Sequence, residues 1–88
     1  MARSRQQRLL DRLRAGDTRN VDFDEFCRLL GAFGFTLRRV SGSHHIYGHP
    51  QAPRPLSLQP RDGRAKPYQI KQFLGIIEEC DLTMERRQ

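Results

Sequence analysis

Tryptophan is absent from the 88 residues, and cysteine, methionine and tyrosine each occur only twice. Two cysteines cannot supply the disulfide framework that staples small secreted domains. Cys27 and Cys80 both fall on apolar helical faces in the pattern described below, which predicts buried free thiols. No stretch approaches the ~18 consecutive apolar residues of a membrane span. The N-terminal run MARSRQQRLLDRLR lacks the apolar core of a secretory signal, so a cytoplasmic protein without a membrane partner is expected. Length is also limiting. A chain this short buries roughly 60–65% of the surface its unfolded form exposes. It has no room for a dinucleotide-binding unit or a two-lobed cleft, and its function must sit on an exposed face or edge.

Acidic residues are scarce as well: 10 against 16 lysines and arginines, for a net charge of +6. The distribution says more than the total. Positions 36–71 hold Arg38, Arg39, Arg54, Arg61, Arg64, Lys66 and Lys71 against Asp62 alone. Positions 1–20 hold six arginines against Asp11 and Asp17. The segments 21–35 and 72–88 are both net acidic. Interspersed charges would serve solubility, but a segment this one-sided reads as a surface for a polyanion, of which nucleic acid is the common one. A basic helix lying on a membrane would need a wide free apolar face, and none is evident.

Periodicity organises the chain. Leu9, Leu10 and Leu13 recur at helical spacing inside the arginine-rich 3–15 segment, and Ala15-Gly16-Asp17-Thr18 breaks it. Asp22 followed by Glu25 forms a capping box, with Val21 placed to staple onto Phe26. Phe23, Phe26, Leu30 and Phe33 then mark one helical face, and Gly34 suits the left-handed residue that closes a helix. FTLRRVS (35–41) and HHIYGH (44–49) read as two strands joined by the turn Gly42-Ser43. A proline-rich loop follows, then a third short strand over 55–59 and a basic loop, RDGRAK. Pro67 fits the first position of a helix whose apolar face is Ile70, Phe73, Leu74 and Ile77, with Asp81 near its end. The predicted fold class is α+β: helix, three antiparallel strands, helix, in two layers with one sheet face open. The expected organisation is a basic, helical N-terminal extension (1–20), an RNA-binding domain (21–83) and a short tail (84–88).

The densest chemical signal is Gly42-Ser43-His44-His45-Ile46-Tyr47-Gly48-His49-Pro50, which contains all three histidines of the chain. Imidazole titrates near pH 6.5 and exchanges protons at cellular pH. RNA cleavage requires such a group, either to take the proton of a ribose 2′-OH or to protonate the departing 5′ oxygen. It also requires cations for the phosphate, and Arg38, Arg39, Arg64, Lys66 and Lys71 are the candidates. That chemistry needs no metal or cofactor. The histidine spacing makes a poor zinc site, because His44 and His45 point to opposite faces of a strand. Alternation leaves one ambiguity. Ile46 is expected to face the helices, which turns His44 inward with it, unless His44 stays wet at the strand's first position.

These segments resemble the HicA family of toxin–antitoxin mRNA interferases. The similarity covers FxxLLxxFGF (Phe26–Phe35), GSHHIYGHP (Gly42–Pro50), LSLQP (Leu56–Pro60) and AKPYQIKQFLGIIEE (Ala65–Glu79), and GSHHIY…HP is its specific part. The resemblance implies a fold like the double-stranded-RNA-binding domain. It implies metal-independent endoribonuclease activity on mRNA, with the histidine after Gly-Ser, His44, as the catalytic residue. It also implies a HicB-like antitoxin that covers the active face. Gly42, Ser43 and Tyr47 join the basic residues as the expected RNA-binding set. Two features depart from the pattern: residues 1–20 precede the family's usual start, and His45 beside His44 is a second candidate for the working group. The competing function is a non-catalytic RNA-binding module in a regulatory complex, which the charge supports equally well and the histidine cluster does not.

Overall fold

The computed structural model describes residues 3–84. Its elements follow the expected order behind one leading helix: α1 (Arg5–Arg14), α2 (Phe23–Ala32), β1 (Thr36–Ser41), β2 (His44–Gly48), β3 (Leu56–Leu58) and α3 (Pro67–Glu79). The strands form one antiparallel sheet in the order β1-β2-β3. The strands and α3 end slightly inside the limits expected from sequence. Of the expected 84–88 tail, residues 85–88 lie outside the described residues.

Local chemistry accounts for the helix limits. Asp22 caps α2, its carboxylate accepting the Glu25 N–H at 3.0 Å. The reciprocal bond expected from the Glu25 side chain is not among the hydrogen bonds of the described residues. Gly34 (φ 91°) ends α2, and the Phe35 N–H then bonds the Leu30 carbonyl. Asp81 (φ 54°) does the same for α3, where the Leu82 N–H reaches the Ile77 carbonyl. Gly42 (φ 61°) occupies the first position of the two-residue β1–β2 turn, the place where a primed hairpin turn requires a positive φ.

One hydrophobic core holds the molecule together. Phe26, Phe33 and Phe35 pack edge-to-face around Phe73 of α3. Leu9, Leu10 and Leu13 of α1 are buried in the same cluster, so this arginine-rich helix is built into the core. Cys27 and Cys80 are free but only half-buried, a correction to the expectation of full burial. They pack on the margin of the core because the helix positions facing its centre are taken by larger side chains.

The sheet's parity is the reverse of one sequence expectation. Tyr47, Leu56 and Leu58 face the helices and are buried, and Ile46 is paired with the exposed Ser57 on the other face. Tyr47 and Ile46 are both apolar enough to be core, and alternation admits only one. The larger aromatic ring takes the inner position, and His44 is thereby turned outward.

Candidate functional site on the open sheet face

The three histidines have three different environments. His44 opens β2 and is exposed on the face away from the helices. Its Nδ1 lies 3.3 Å from Oγ of Ser57 on β3. The described residues offer its Nε2 no hydrogen-bond partner. His45 points the other way. Its ring sits edge-on to Phe23 of α2, with centroids 5.1 Å apart. Its Nδ1 lies 3.1 Å from the Ser43 carbonyl, which can only accept, so that nitrogen is protonated. His49 has both nitrogens engaged. Nδ1 accepts the Gln51 N–H at 3.0 Å, and Nε2 donates to the Phe33 carbonyl at 2.9 Å. It ties the chain after β2 to the end of α2. No group of three His, Cys, Asp or Glu side chains among the described residues is arranged to hold a metal ion.

Arg38 and Arg39 join His44 on the open face, although adjacent strand residues ordinarily point to opposite sides. The register slips between Leu37 and Arg39, so Arg38 sits in a β-bulge. A bulge re-aims a side chain. Arg39 pairs with Ile46 and shares its face. The Arg38 guanidinium lies across Gly48, where a Cβ atom would overlap it, and it covers that glycine.

Gln59 and Gln69 tie the hairpin turn to α3. Gln59 donates from Nε2 to Ser43 Oγ at 2.8 Å, and Lys66 donates from Nζ to Gln59 Oε1 at 3.4 Å. Gln69 is the one polar side chain in the core among the described residues, 4% exposed. Its amide oxygen accepts the Gln59 N–H and its Nε2 donates to the Ser57 carbonyl. It thereby satisfies the outer edge of β3, where no fourth strand pairs among the described residues. These residues carried no sequence signal of their own: a lone glutamine in a helix or loop is ordinarily solvated surface.

Two grooves border this network. One, of about 990 Å³, runs between β3, the proline-rich loop and α3, and is lined by His44, Arg54, Ser57, Gln59 and Tyr68 among others. The second, of about 520 Å³, is lined by Arg19, Arg61, Arg64 and Lys66 beside Tyr68. Ion pairs do not neutralise these cations. Among the described residues only Arg3–Asp11 and Arg12–Asp17 pair, both within positions 3–17.

The residues named from sequence divide accordingly. His44, Arg38, Arg39 and the Gly42-Ser43 turn come together on or beside the open face, and Lys66 reaches the turn through Gln59. Arg64 lies in the second groove. Lys71 is exposed on α3 and lines neither groove. Tyr47 is buried on the opposite side of the sheet, with its hydroxyl against the Cys27 thiol. Burial, then the thiol, raise its pKa well above the usual value near 10, and burial also raises that of Cys27. Ser57, Gln59, Tyr68 and Arg19 were not identified from sequence.

Comparison with protein families decides what kind of molecule carries this face. Residues 23–81 match the family model of the HicA toxin of bacterial toxin–antitoxin systems. The chain belongs to the HicA toxin family. The match spans α2, the whole sheet and α3, and the two-layer arrangement agrees with the double-stranded-RNA-binding-domain-like fold of HicA. No curated protein and no solved structure matches the chain. The HicA match begins after α1, so the helix that completes the core lies outside it. No helix among the described residues is long and apolar enough to cross a membrane.

Proposed function

We propose that this HicA-family chain is the toxin of a type II toxin–antitoxin pair and acts as a metal-independent endoribonuclease on mRNA. His44 is its general acid/base. The observation that carries the reading is the position of His44: exposed on the open face, braced at Nδ1 by Ser57, and flanked by arginines that have no acidic partner among the described residues.

The chemistry follows from that arrangement. With Nδ1–H donated to Ser57 Oγ, the lone pair of Nε2 is aimed at solvent and can take the 2′-OH proton of a bound ribose. The 2′ oxygen then attacks the adjacent phosphorus, and the bond to the 5′ oxygen breaks as that oxygen gains a proton. Arg38 and Arg39 lie on the same face to hold the phosphate and stabilise its added charge. His45 fits this role less well, since Phe23 covers its ring and the Ser43 carbonyl occupies its Nδ1–H. Its place is to hold the turn from which His44 projects. Tyr47 belongs to the core in this reading.

His44→Ala is expected to reduce RNA cleavage by about 10²–10⁴-fold, the usual contribution of a positioned proton-transfer group. His45→Ala is expected to retain most of the rate. Cleavage should persist in excess chelator. Gel-resolved cleavage of a defined mRNA, with circular dichroism to check folding, makes the comparison. Undiminished cleavage by folded His44→Ala protein would remove His44 from the mechanism. RNA binding without any cleavage would leave a non-catalytic binding module.

The partner implied is a HicB-like antitoxin. A face with this many unpaired cations is best silenced by an acidic protein that covers it and answers its charges. Hydrogen exchange on the complex should show protection over 42–49 and 61–71. Protection restricted to 72–88 would exclude occlusion of the active face.

A further inference from the structure

Tyr68 is the most exposed large hydrophobic side chain among the described residues, at 58%, and it stands where the two grooves meet. Its exposure has a local cause. Pro67 starts α3, and the face that packs inward carries Ile70, Phe73 and Ile77. Tyr68 lies on the side turned from them, which it shares with the exposed Gln72 and Gly75. The phenol is nevertheless anchored. Nε2 of the buried Gln69 donates to its hydroxyl at 3.3 Å while holding β3 through Ser57 and Gln59. A solvent-facing ring held in this way presents a flat apolar surface.

Its neighbours on the two sides differ in kind. On one side the groove leads to His44, Ser57 and Arg54. On the other, Arg19, Arg61, Arg64 and Lys66 outnumber the one acidic lining residue, Asp62, and make the rim net basic. Arg19 is held there from α1: Arg12 pairs with Asp17 at 3.0 Å and donates to the Arg19 carbonyl. An aromatic platform between a phosphate-attracting groove and a proton-transfer group suits one ligand above others, a single RNA strand. In a duplex the bases are stacked on one another, and no base face is free to meet the ring.

We infer that Tyr68 is a base-stacking platform, and that a single-stranded stretch of RNA runs from the Arg19/Arg61/Arg64/Lys66 groove over Tyr68 to His44. The inference rests on the RNA-cleavage reading and adds to it the form of substrate, unpaired RNA, and the residue that selects it. It also gives the N-terminal helix a role in holding RNA, through Arg19.

The absence of tryptophan makes a direct test possible. Tyr68→Trp introduces the chain's single indole, and a base stacked on it quenches its fluorescence. The probe is an eight-nucleotide RNA with 2′-O-methyl riboses, which binds but lacks the hydroxyl needed for self-attack. The single strand is expected to quench the indole of the Tyr68→Trp protein, and the same sequence as a duplex to quench it far less. In separate variants, Tyr68→Ala should weaken single-strand binding by about ten-fold or more, the usual worth of one stacked base, while Tyr68→Phe, which keeps the ring and loses only its anchor to Gln69, should weaken it much less. Arg19→Ala should weaken binding and flatten its salt dependence. Equal quenching by duplex, or Tyr68→Ala binding the single strand as wild type does, overturns the proposal. Quenching by the single strand without cleavage of unmodified RNA would uphold the platform and sink the nuclease reading. Cleavage with no effect of Tyr68→Ala would do the reverse.

Discussion

His44 and His45 are adjacent in sequence and chemically identical, yet one faces solvent beside Ser57 and the other lies against Phe23. The assignment of roles follows from which way each points. Gly48 shows the same dependence on position. A Cβ there would overlap the Arg38 guanidinium, the far end of a flexible side chain that can swing away. Gly48→Ala is therefore expected to fold normally but to unseat Arg38. RNA binding should weaken, and its log–log salt slope should fall by about 0.7, the loss of one phosphate contact. An unchanged slope would show that Arg38 does not meet the phosphate from its seat on Gly48. Tyr47 carries a pH signature. Burial favours its neutral form and raises its folded pKa. Its contribution to stability is then present below about pH 10 and lost as pH rises from there toward the higher folded value. Thermal melts at about pH 9 and 11, on either side of the unfolded tyrosine's pKa near 10, should show a larger loss for wild type than for Tyr47→Phe. Equal losses would mean that the hydroxyl titrates in the folded protein as it does in the unfolded one.

At the scale of elements, α1 is the least expected part. Its composition reads as a basic appendage, and six arginines in 1–20 draw attention from its three leucines. In the structure Leu9, Leu10 and Leu13 are buried with the core of α2 and α3. Leu13→Ala, at a position only 1% exposed, is expected to cost about 2–5 kcal/mol in urea denaturation, the range for a core leucine. A cost near zero would mean that α1 packs only loosely. β3 illustrates a different dependence. Three residues make a marginal strand. The side chain of Gln69 takes up its free edge and carries it onto α3.

Charge acts at the scale of the whole molecule. None of the basic residues between 36 and 71 forms an ion pair among the described residues. All but Lys71 are spread over the open face and the two grooves, with Arg19 beside them. A strand contacting about four to six of them should bind with a log–log salt slope of roughly −3 to −4, at ~0.7 per contact. Replacing Arg64 and Lys66 together should reduce that slope by about one to one and a half units. A slope near zero in wild type would remove the basic segment from the binding surface. Lys71 serves as an internal control, since it lies outside both grooves and its replacement should change the slope least.

Much of this protein is determined by its sequence alone. Helix periodicity, the Asp22 cap, Gly34, Gly42 and Pro67 act within a few residues, and they set α2, the hairpin turn and the start of α3 where they were expected. The HicA match and the one-sided charge of the 36–71 segment are also sequence properties. What the tertiary structure decided is every choice that alternation left open. Ile46 and Tyr47 could each have faced the helices, and only packing against Cys27, Leu56 and Leu58 selects Tyr47 and so exposes His44. The bulge that brings Arg38 to the face of Arg39 depends on the register of β1 against β2. Gln69, Ser57 and Tyr68 gain their roles from α3 lying along β3, residues 10 to 12 positions apart meeting at one edge. Such contacts have no local signature, because a side chain's partners across a fold depend on where the backbone carries both of them.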